Sequence, residues 1–228
     1  MIKDNIFKIK ERIAQACSKV KRDPQEITVV AVAKGRTIDE IKEALDAGIK
    51  DIAENKVQEA LLKYPHLTQQ SIRWHMVGHL QTNKVKDTLK MFDLIHSLDS
   101  LHLAQETDKQ AAKINKIQDI LLEVNASGET SKFGLKPEET IGIIHEISEF
   151  KNINIRGLMT IAPLVDNPEE SRPYFRKLRD LRDRINELTR QNRRNELNIL
   201  SMGMTDDFEV AIEEGADMVR LGRAIFGG

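Results

Sequence analysis

Cysteine and aromatic residues are scarce in this sequence. The single cysteine among 228 residues, Cys17, excludes an internal disulfide and any zinc or iron–sulfur site built from several cysteines. A reducing, cytoplasmic setting fits such a chain best. Aromatic residues make up only 4% of the chain, so exposed platforms for stacking nucleic-acid bases are not expected.

Net charge and long apolar runs are missing as well. The chain has 35 Lys and Arg against 36 Asp and Glu, a net charge of −1, so it lacks an overall field that attracts nucleic acid or an anionic membrane. No stretch approaches the ~18 apolar residues of a membrane span. The charged N-terminus has no signal-peptide pattern.

One segment, 171–195, concentrates positive charge in the manner of a nucleic-acid-binding stripe. Its arginines are Arg172, Arg176, Arg179, Arg182, Arg184, Arg190, Arg193 and Arg194. Acidic residues are interleaved with them, and Leu178, Leu181, Ile185 and Leu188 form an apolar seam at helical spacing. The pattern therefore favours a solvated amphipathic helix with intrahelical ion pairs.

Short β-type runs alternate with helical runs along the whole chain. A helix over 2–20 comes first, and the predicted strands are 27–33, 51–53, 72–77, 94–96, 120–124, 155–160, 197–200 and 218–221. Strict alternation predicts a parallel sheet. Eight units predict an α/β fold in which one domain, 1–228, forms a closed (β/α)8 TIM barrel with an extra N-terminal helix. No glycine-rich dinucleotide fingerprint follows a strand, which disfavours an open doubly wound sheet.

Polar side chains follow the predicted strands, where the active sites of such barrels lie. This ring comprises Lys34, Glu54, Asn55, His75, His79, His96, Asn125, Thr160, Ser201 and Arg220. Lys34 ends the apolar run 27–33, so we expect the barrel mouth to bury its stem. Burial lowers the pKa of a lysine ammonium and frees the amine to condense with an aldehyde, of which pyridoxal 5′-phosphate (PLP) is the common biological example. A lysine that merely caps the strand and reaches water is the alternative.

The last fifth of the chain has the composition of a phosphate site. Ser201, Gly203 and Thr205 offer hydroxyls and open backbone N–H groups before a helix, and Gly222 follows the last strand. Barrel enzymes often hold phosphate on these two loops. A phosphate cup opposite Lys34 is the geometry that PLP needs, although ordinary turns use the same residue types.

Seven motifs in order resemble the PLP homeostasis proteins of the YggS/PROSC type, over nearly the whole chain. They are Val30-Ala-Val-Ala-Lys34, Glu54-Asn-Lys-Val-Gln-Glu59, Trp74-His-Met-Val-Gly-His-Leu-Gln-Thr-Asn-Lys84, Ser131-Lys-Phe-Gly134, Arg156-Gly-Leu-Met159, Ser201-Met-Gly-Met-Thr-Asp206 and Val219-Arg-Leu-Gly-Arg-Ala-Ile-Phe-Gly227.

The resemblance implies a fold like the barrel domain of alanine racemase and a set of cofactor contacts. Lys34 matches the lysine that forms the internal aldimine, and Arg220 matches the arginine that faces the pyridine nitrogen. The residues that match the phosphate grip are Ser201, Gly203, Met204, Gly222 and Arg223. Asn55, His75 and Met202 match positions near the cofactor ring. Family members are thought to buffer, carry or deliver PLP, with PLP-dependent apoenzymes as recipients.

A permanent cation such as Arg220 beside the pyridine nitrogen keeps that nitrogen unprotonated and weakens carbanion stabilisation. Racemisation tolerates this but needs a second acid or base on the other face of the ring. The barrel-type racemases take that group from a further domain that we do not find here, and Tyr64 and Tyr174 fall in or near helices. The sequence thus favours a non-catalytic, monomeric PLP carrier without a metal, a nucleic acid or a membrane as partner.

Other functions stay open at this point. A racemase-like enzyme is the first alternative, and a Schiff-base aldolase that uses Lys34 on a phosphosugar is the second. A metal-dependent hydrolase could use His75, His79 and His96, although the first pair would need a helix where a strand is predicted. A pure interaction module would bind no chromophore.

Overall fold

Eight parallel strands close into a barrel in which each strand pairs with its neighbours in chain order and the last pairs with the first. The computed structural model describes residues 1–68, 70–130, 132–189 and 196–227. The strands are β1 (Thr28–Val32), β2 (Asp51–Glu54), β3 (Arg73–Met76), β4 (Leu94–Leu98), β5 (Gln118–Glu123), β6 (Ile153–Met159), β7 (Ile199–Ser201) and β8 (Met218–Leu221).

Helices lie between the strands and cover the outside of the barrel. They are α1 (Ile2–Val20), α2 (Ile38–Asp46), α3 (Val57–Lys63), α4 (Val85–Met91), α5 (Leu101–Lys113), α6 (Pro137–Ser148), α7 (Arg172–Leu188), α8 (Phe208–Glu213) and α9 (Arg223–Phe226). The predicted (β/α)8 barrel with an additional N-terminal helix is thereby confirmed.

Local signals in the sequence start several of these helices. Thr37 and Glu40 form a reciprocal capping box at α2, and Pro137 occupies the first turn of α6. Asn167 accepts the N–H of Glu169 and opens a 3₁₀ turn, Pro168–Ser171, ahead of α7. The short helix α9 was not predicted, because its four residues carry no apolar period that a sequence pattern could reveal.

The arginines of α7 pair mainly with its neighbour α8. Arg172, Arg176 and Arg179 all contact the carboxylate of Glu214, at 3.0, 2.9 and 2.8 Å. The intrahelical pairing that the sequence suggested is present for Arg179 with Asp180 at 3.6 Å and for Arg182 with Asp183 at 2.5 Å. It does not describe the contacts with Glu214, which is buried against α7 and attracts arginines across the helix interface. Arg190, Arg193, Arg194, Ser131 and Gly228 lie outside the described residues.

The helix α1 packs on the outside of the barrel beside the last helices. Its buried face contains Ile6, Ile13 and Cys17, and Asn5 donates to the carbonyl oxygen of Ile225 in α9 at 2.9 Å. Cys17 is fully buried, as expected for a structural thiol. Among the helices of the described ranges, none has the length and apolarity to cross a membrane.

Side chains along each strand alternate between the helices and the barrel interior. The inward set forms a separate apolar cluster of Val30, Ala53, Leu94, Leu121, Met159 and Met218. The outward set joins the large core under the helices. This alternation fixes which polar residues point inward, and it is the basis of the site described below.

Gly157 in β6 lies where a side chain would collide with the backbone of the neighbouring strand. A Cβ built there lies 1.9 Å from the carbonyl oxygen of Ile199 in β7, so Gly157→Ala must push two paired strands apart. We expect a loss in the free energy of unfolding of roughly 1–3 kcal/mol or more, measured by urea denaturation. Gly142→Ala in α6 is the control, since its Cβ meets nothing within 4 Å. That change should stabilise the protein by about 0.5–1 kcal/mol. Equal effects of the two changes would contradict this packing.

Candidate functional site

The turn that follows β1 presents Lys34. Val30 and Val32 face the barrel interior, and Lys34 has the same parity. The strand ends at Val32, however, and Lys34 and Gly35 form a turn in which the lysine is exposed. The expectation that the barrel mouth buries this lysine is therefore wrong, because the strand stops two residues before it.

Helix α3 and the end of β2 hold the backbone on both sides of that lysine. Lys63 Nζ donates to the carbonyl oxygen of Ala33 at 2.7 Å and to Oε1 of Glu54 at 2.6 Å. Glu59 Oε2 accepts the N–H of Gly35 at 3.1 Å. The turn is thus fixed while its lysine side chain stays in contact with solvent.

We call Lys63, Glu54 and Glu59 the clamp. Glu54 is fully buried in it, and burial raises the pKa of Glu54 because the ammonium of Lys63 offsets only part of the desolvation. Its second oxygen, Oε2, has no hydrogen-bond partner among the described residues. The sequence placed Glu54 at the mouth but gave Lys63 and Glu59 no role. Their helical i, i+4 spacing was the available signal, since such pairs face one side of a helix.

Arg220 lies inside the barrel, where its side chain is almost entirely buried. Nη1 donates to the backbone oxygen and to Oγ of Ser201, both at 2.7 Å, and Nη2 donates to the carbonyl oxygen of Thr160 at 2.8 Å. A guanidinium has five N–H groups. Three are used here, so two have no partner among the described residues and remain for a ligand with a lone pair.

A continuous line of hydrogen bonds leaves Arg220 across the interior. Ser201 Oγ lies 2.9 Å from Nδ1 of His96, whose Nε2 lies 2.9 Å from Nδ1 of His75. His75 Nε2 lies 2.9 Å from Oδ1 of Asp51, which also pairs with Arg73 at 2.8 Å. We call this line the interior row, and its members are Arg220, Ser201, His96, His75 and Asp51.

Burial shifts the protonation of several interior groups. It holds the pKa of His96 well below its usual value, and the positive charge of Arg220 adds to that effect. Burial lowers the pKa of Arg220 to about 10, although Glu123 and Asp207 oppose the shift. Burial also acts to raise the pKa of Asp51, but hydrogen bonds from His75 and Arg73 outweigh it and keep that pKa low.

Glu123 ends β5 and has the parity of the inward-facing set. Burial raises its pKa to about 7, Asp99 adds to the rise, and Arg220 opposes it. Neither Glu123 nor Asp51 was expected at the site from the sequence. Both lie in predicted or observed strands at inward parity, and a charged residue at such a position was the signal that could have found them.

The loop after β7 is shaped by Gly203, which has a positive φ of 91°. A Cβ there lies 2.6 Å from Cβ of Ala211, so this turn packs too closely on α8 for a side chain. Its carbonyl oxygen accepts the N–H of Arg220 at 3.0 Å. The N–H of Met204 is already engaged, because it donates to Oδ1 of Asp207 at 2.6 Å.

The loop after β8 lies beside the loop after β7 and beside β1. Ala224 N–H donates to Oγ1 of Thr205 at 3.3 Å, and Arg223 pairs with Asp206. A Cβ on Gly222 would lie 3.5 Å from the carbonyl oxygen of Val32, at the end of β1. The structure therefore brings the loops of Gly203 and Gly222 together beside the end of β1.

The remaining residues predicted for the site lie in different environments. Asn55 directly follows β2 and is half-buried, and its carbonyl oxygen is only 2.2 Å from a Cβ built on Gly78. Met202 is fully buried in the core under the helices, whereas the side chain of Met204 is 38% exposed. Ser201 is fully buried, and its hydroxyl is committed to the interior row.

Two ring residues serve the surrounding loops. His79 Nδ1 contacts Oδ2 of Asp99 at 3.0 Å, and its ring stacks on Phe133 at 3.8 Å. Asn125 binds the backbone of its own loop at Gly128 and Glu129. Across the described ranges, no group of three His, Cys, Asp or Glu side chains is arranged to hold a metal ion.

Comparisons with known proteins agree with this architecture. The family model for the alanine racemase N-terminal domain matches residues 2–228. A pyridoxal phosphate homeostasis protein of Aquifex aeolicus is 43% identical over 228 residues, 98% of this chain and 96% of the relative. The structure of PipY from Synechococcus elongatus with PLP bound aligns with a TM-score of 0.82 at 34% identity, over 96% of this chain and 100% of PipY. Alanine racemase of Clostridium difficile shares the fold, with a TM-score of 0.76 at 17% identity over 97% of this chain and 56% of the racemase.

The closed parallel barrel places the chain in one structural class, the alanine racemase type of barrel. The chain belongs to the alanine racemase N-terminal-domain family, and its curated relatives there are pyridoxal phosphate homeostasis proteins. The family resemblance drawn from the seven motifs is confirmed.

Glu123 should make stability depend on pH. Its carboxyl titrates near 4.5 in the unfolded chain and near 7 in the folded protein, so between these values only the folded state keeps the proton. Stability therefore falls as the pH rises from about 4.5 to 7, by roughly 3 kcal/mol, and then levels off. Glu123→Gln removes this loss.

Urea denaturation at pH 5 and pH 8 checks this expectation. The variant should exceed the native protein mainly at pH 8, while the exposed Glu149→Gln controls for the loss of one charge. A constant difference between Glu123→Gln and the native protein at both pH values would contradict the assignment.

The clamp should also contribute to stability. Lys63→Met leaves the carboxylate of Glu54 buried without its cation, so we expect a loss of about 3–5 kcal/mol in urea denaturation. Adding Glu54→Gln should restore part of it. Lys90→Met is the matched control, since its pair with Asp87 at 3.0 Å is exposed and should contribute less than about 1 kcal/mol. Equal losses for the two lysines would refute the clamp.

Proposed function

We propose that the protein binds PLP covalently through Lys34 and acts in PLP homeostasis by buffering, carrying or delivering the cofactor. One observation supports this most directly. The buried Arg220 keeps two N–H groups without a partner among the described residues, on the strand beside the one that leads into Lys34. The family relatives carry the name of PLP homeostasis proteins, and PipY binds PLP.

The residues present fit the chemical groups of PLP. The Lys34 amine would attack the aldehyde carbon, forming a C=N bond as the aldehyde oxygen leaves as water. The free donors of Arg220 suit the lone pair of a pyridine nitrogen. Bound PLP would supply an electrophilic aldehyde and an electron-withdrawing ring.

We assign the remaining contacts by their place around Lys34 and Arg220. The loops of Gly203 and Gly222, with the guanidinium of Arg223, would hold the phosphate. Met204 would belong to the first of these loops, and Ser201 would act indirectly, since its hydroxyl is engaged in the interior row. Asn55, His75 and Met202 would lie around the ring or support it. Gly203 is suited to this role because its positive φ turns the backbone sharply toward α8.

We infer a carrier without substantial turnover, for two reasons. A permanent cation at the pyridine nitrogen opposes its protonation and weakens carbanion chemistry. The two tyrosines are also packed among the helices: the ring of Tyr64 lies 5.7 Å from that of Trp74, and Tyr174 packs on the outer core. Neither is placed as a second acid or base at the mouth.

The exposure of Lys34 supports delivery of the cofactor to other proteins. We propose PLP-dependent apoenzymes as recipients, because a covalent link at an exposed turn is open to exchange with a second amine. We further propose a single-domain monomer in a reducing compartment such as the cytoplasm. The clamp, Lys34 and Arg220 all belong to one chain, which supports a monomer. The free Cys17 supports a reducing compartment.

The test is the absorbance spectrum of the purified protein with PLP, before and after borohydride. We expect a visible band that borohydride bleaches, and a pyridoxyl phosphate adduct that mass spectrometry locates on Lys34. Lys34→Ala should lose both signals. Lys56→Ala is the control, an exposed lysine at the start of α3, and should retain both.

Two results would contradict the proposal. One is a protein that stays colourless and takes up no adduct from PLP. The other is an adduct that persists in Lys34→Ala at the native level. A sugar phosphate trapped on Lys34 in preference to PLP would instead favour the aldolase.

A further inference from the structure

One direction of donation gives each polar hydrogen of Ser201, His96 and His75 an acceptor within the interior row. Arg220 can only donate, so Ser201 Oγ must accept from it at 2.7 Å. The Ser201 hydroxyl proton is then free to point at Nδ1 of His96, 2.9 Å away. When Nδ1 accepts this proton, the ring proton of a neutral His96 lies on Nε2. The reverse arrangement, with Nδ1–H donating to Ser201 Oγ, leaves the serine hydroxyl proton without an acceptor in the row.

The same logic continues to the other end of the barrel. His96 Nε2–H donates to Nδ1 of His75, so His75 carries its proton on Nε2 and donates to Oδ1 of Asp51. The Asp51 carboxylate also accepts from Arg73, whose side chain is 60% exposed. A cation fixes one end of the row and a carboxylate fixes the other, so every link is satisfied in one arrangement.

We propose that Asp51, His75 and His96 are positioning residues that act through Ser201 to fix the guanidinium of Arg220. This deepens the proposed function and rests on it. Three hydrogen bonds orient the guanidinium plane, and the acceptor capacity of Ser201 Oγ depends on where its own proton goes. With His96 accepting that proton, the two unused N–H groups of Arg220 keep one orientation toward the cofactor.

The surroundings argue that the row does more than fill space. Apart from Glu123, an apolar cluster of inward-facing side chains surrounds it, including Val30, Leu94 and Leu121. Buried polar groups in such a layer cost desolvation, and an apolar layer of equal volume is often as stable. Retaining two histidines and a serine in this layer is explained if they act on Arg220.

The first test needs no cofactor. The chain contains six histidines, so ¹⁵N NMR of histidine-labelled protein, assigned with single substitutions, can report the tautomer of each ring. We expect both His75 and His96 as neutral Nε2–H tautomers at pH 7. An Nδ1–H tautomer or a charged ring at His96 would overturn the direction of the row and with it the proposal.

The second test uses the PLP-loaded protein. His96→Leu removes the acceptor for the Ser201 proton, so we expect at least tenfold weaker retention of PLP and a displaced visible band. His96→Asn places an amide oxygen near the position of Nδ1 and should restore most of both. Leu121→Val, in the same layer but outside the row, controls for packing: it should lower the melting temperature and leave the band and retention unchanged.

The outcomes separate this inference from the proposed function. If the native protein forms no borohydride adduct with PLP, the proposed function fails, and the positioning role fails with it. If the adduct forms on Lys34 and His96→Leu matches Leu121→Val in band and retention, the positioning role alone is overturned. If His96→Leu does not fold, the tautomers of the native protein still decide the direction of the row.

Discussion

The guanidinium of Arg220 inside the barrel is the interaction on which the site depends. Removing a charge from water costs several kcal/mol unless acceptors surround it, so a buried arginine dictates what its neighbours must be. The acceptors here come from the carboxyl ends of β6 and β7, through Thr160 and Ser201. The hydroxyl of Ser201 in turn needs an acceptor for its proton, which His96 offers. His75 and Asp51 extend this line of hydrogen bonds to the opposite end of the barrel.

Lys34 differs from Arg220 in its contact with solvent. Its side chain is exposed, while Lys63 and Glu59 hold the backbone on either side of it. An exposed amine on a fixed turn can exchange its ligand with little movement of the protein, whereas the buried arginine stays in place. This division suits a protein that holds a cofactor and releases it.

The sequence predicts the fold well because each βα unit carries its own short-range sequence signals. β-branched runs, the Thr37 capping box and Pro137 are short-range signals that tertiary packing did not override. The exposure of Lys34 could not be read this way, because the end of β1 is set by its pairing with β2 and β8. The interior row was equally hidden: His96 and Ser201 are 105 residues apart, and only the barrel register brings them together. Inward parity would have flagged Asp51 and Glu123 as buried charges, but not their partners.

In the proposed function, one cofactor bridges Lys34 and Arg220 across the barrel mouth. The most direct measurement is a crystal structure of the protein loaded with PLP and reduced with borohydride. We expect continuous density from Lys34 Nζ to a pyridine ring whose nitrogen lies within hydrogen-bond distance of the Arg220 guanidinium. Density on a different lysine, or a ring whose nitrogen faces solvent, would contradict the account.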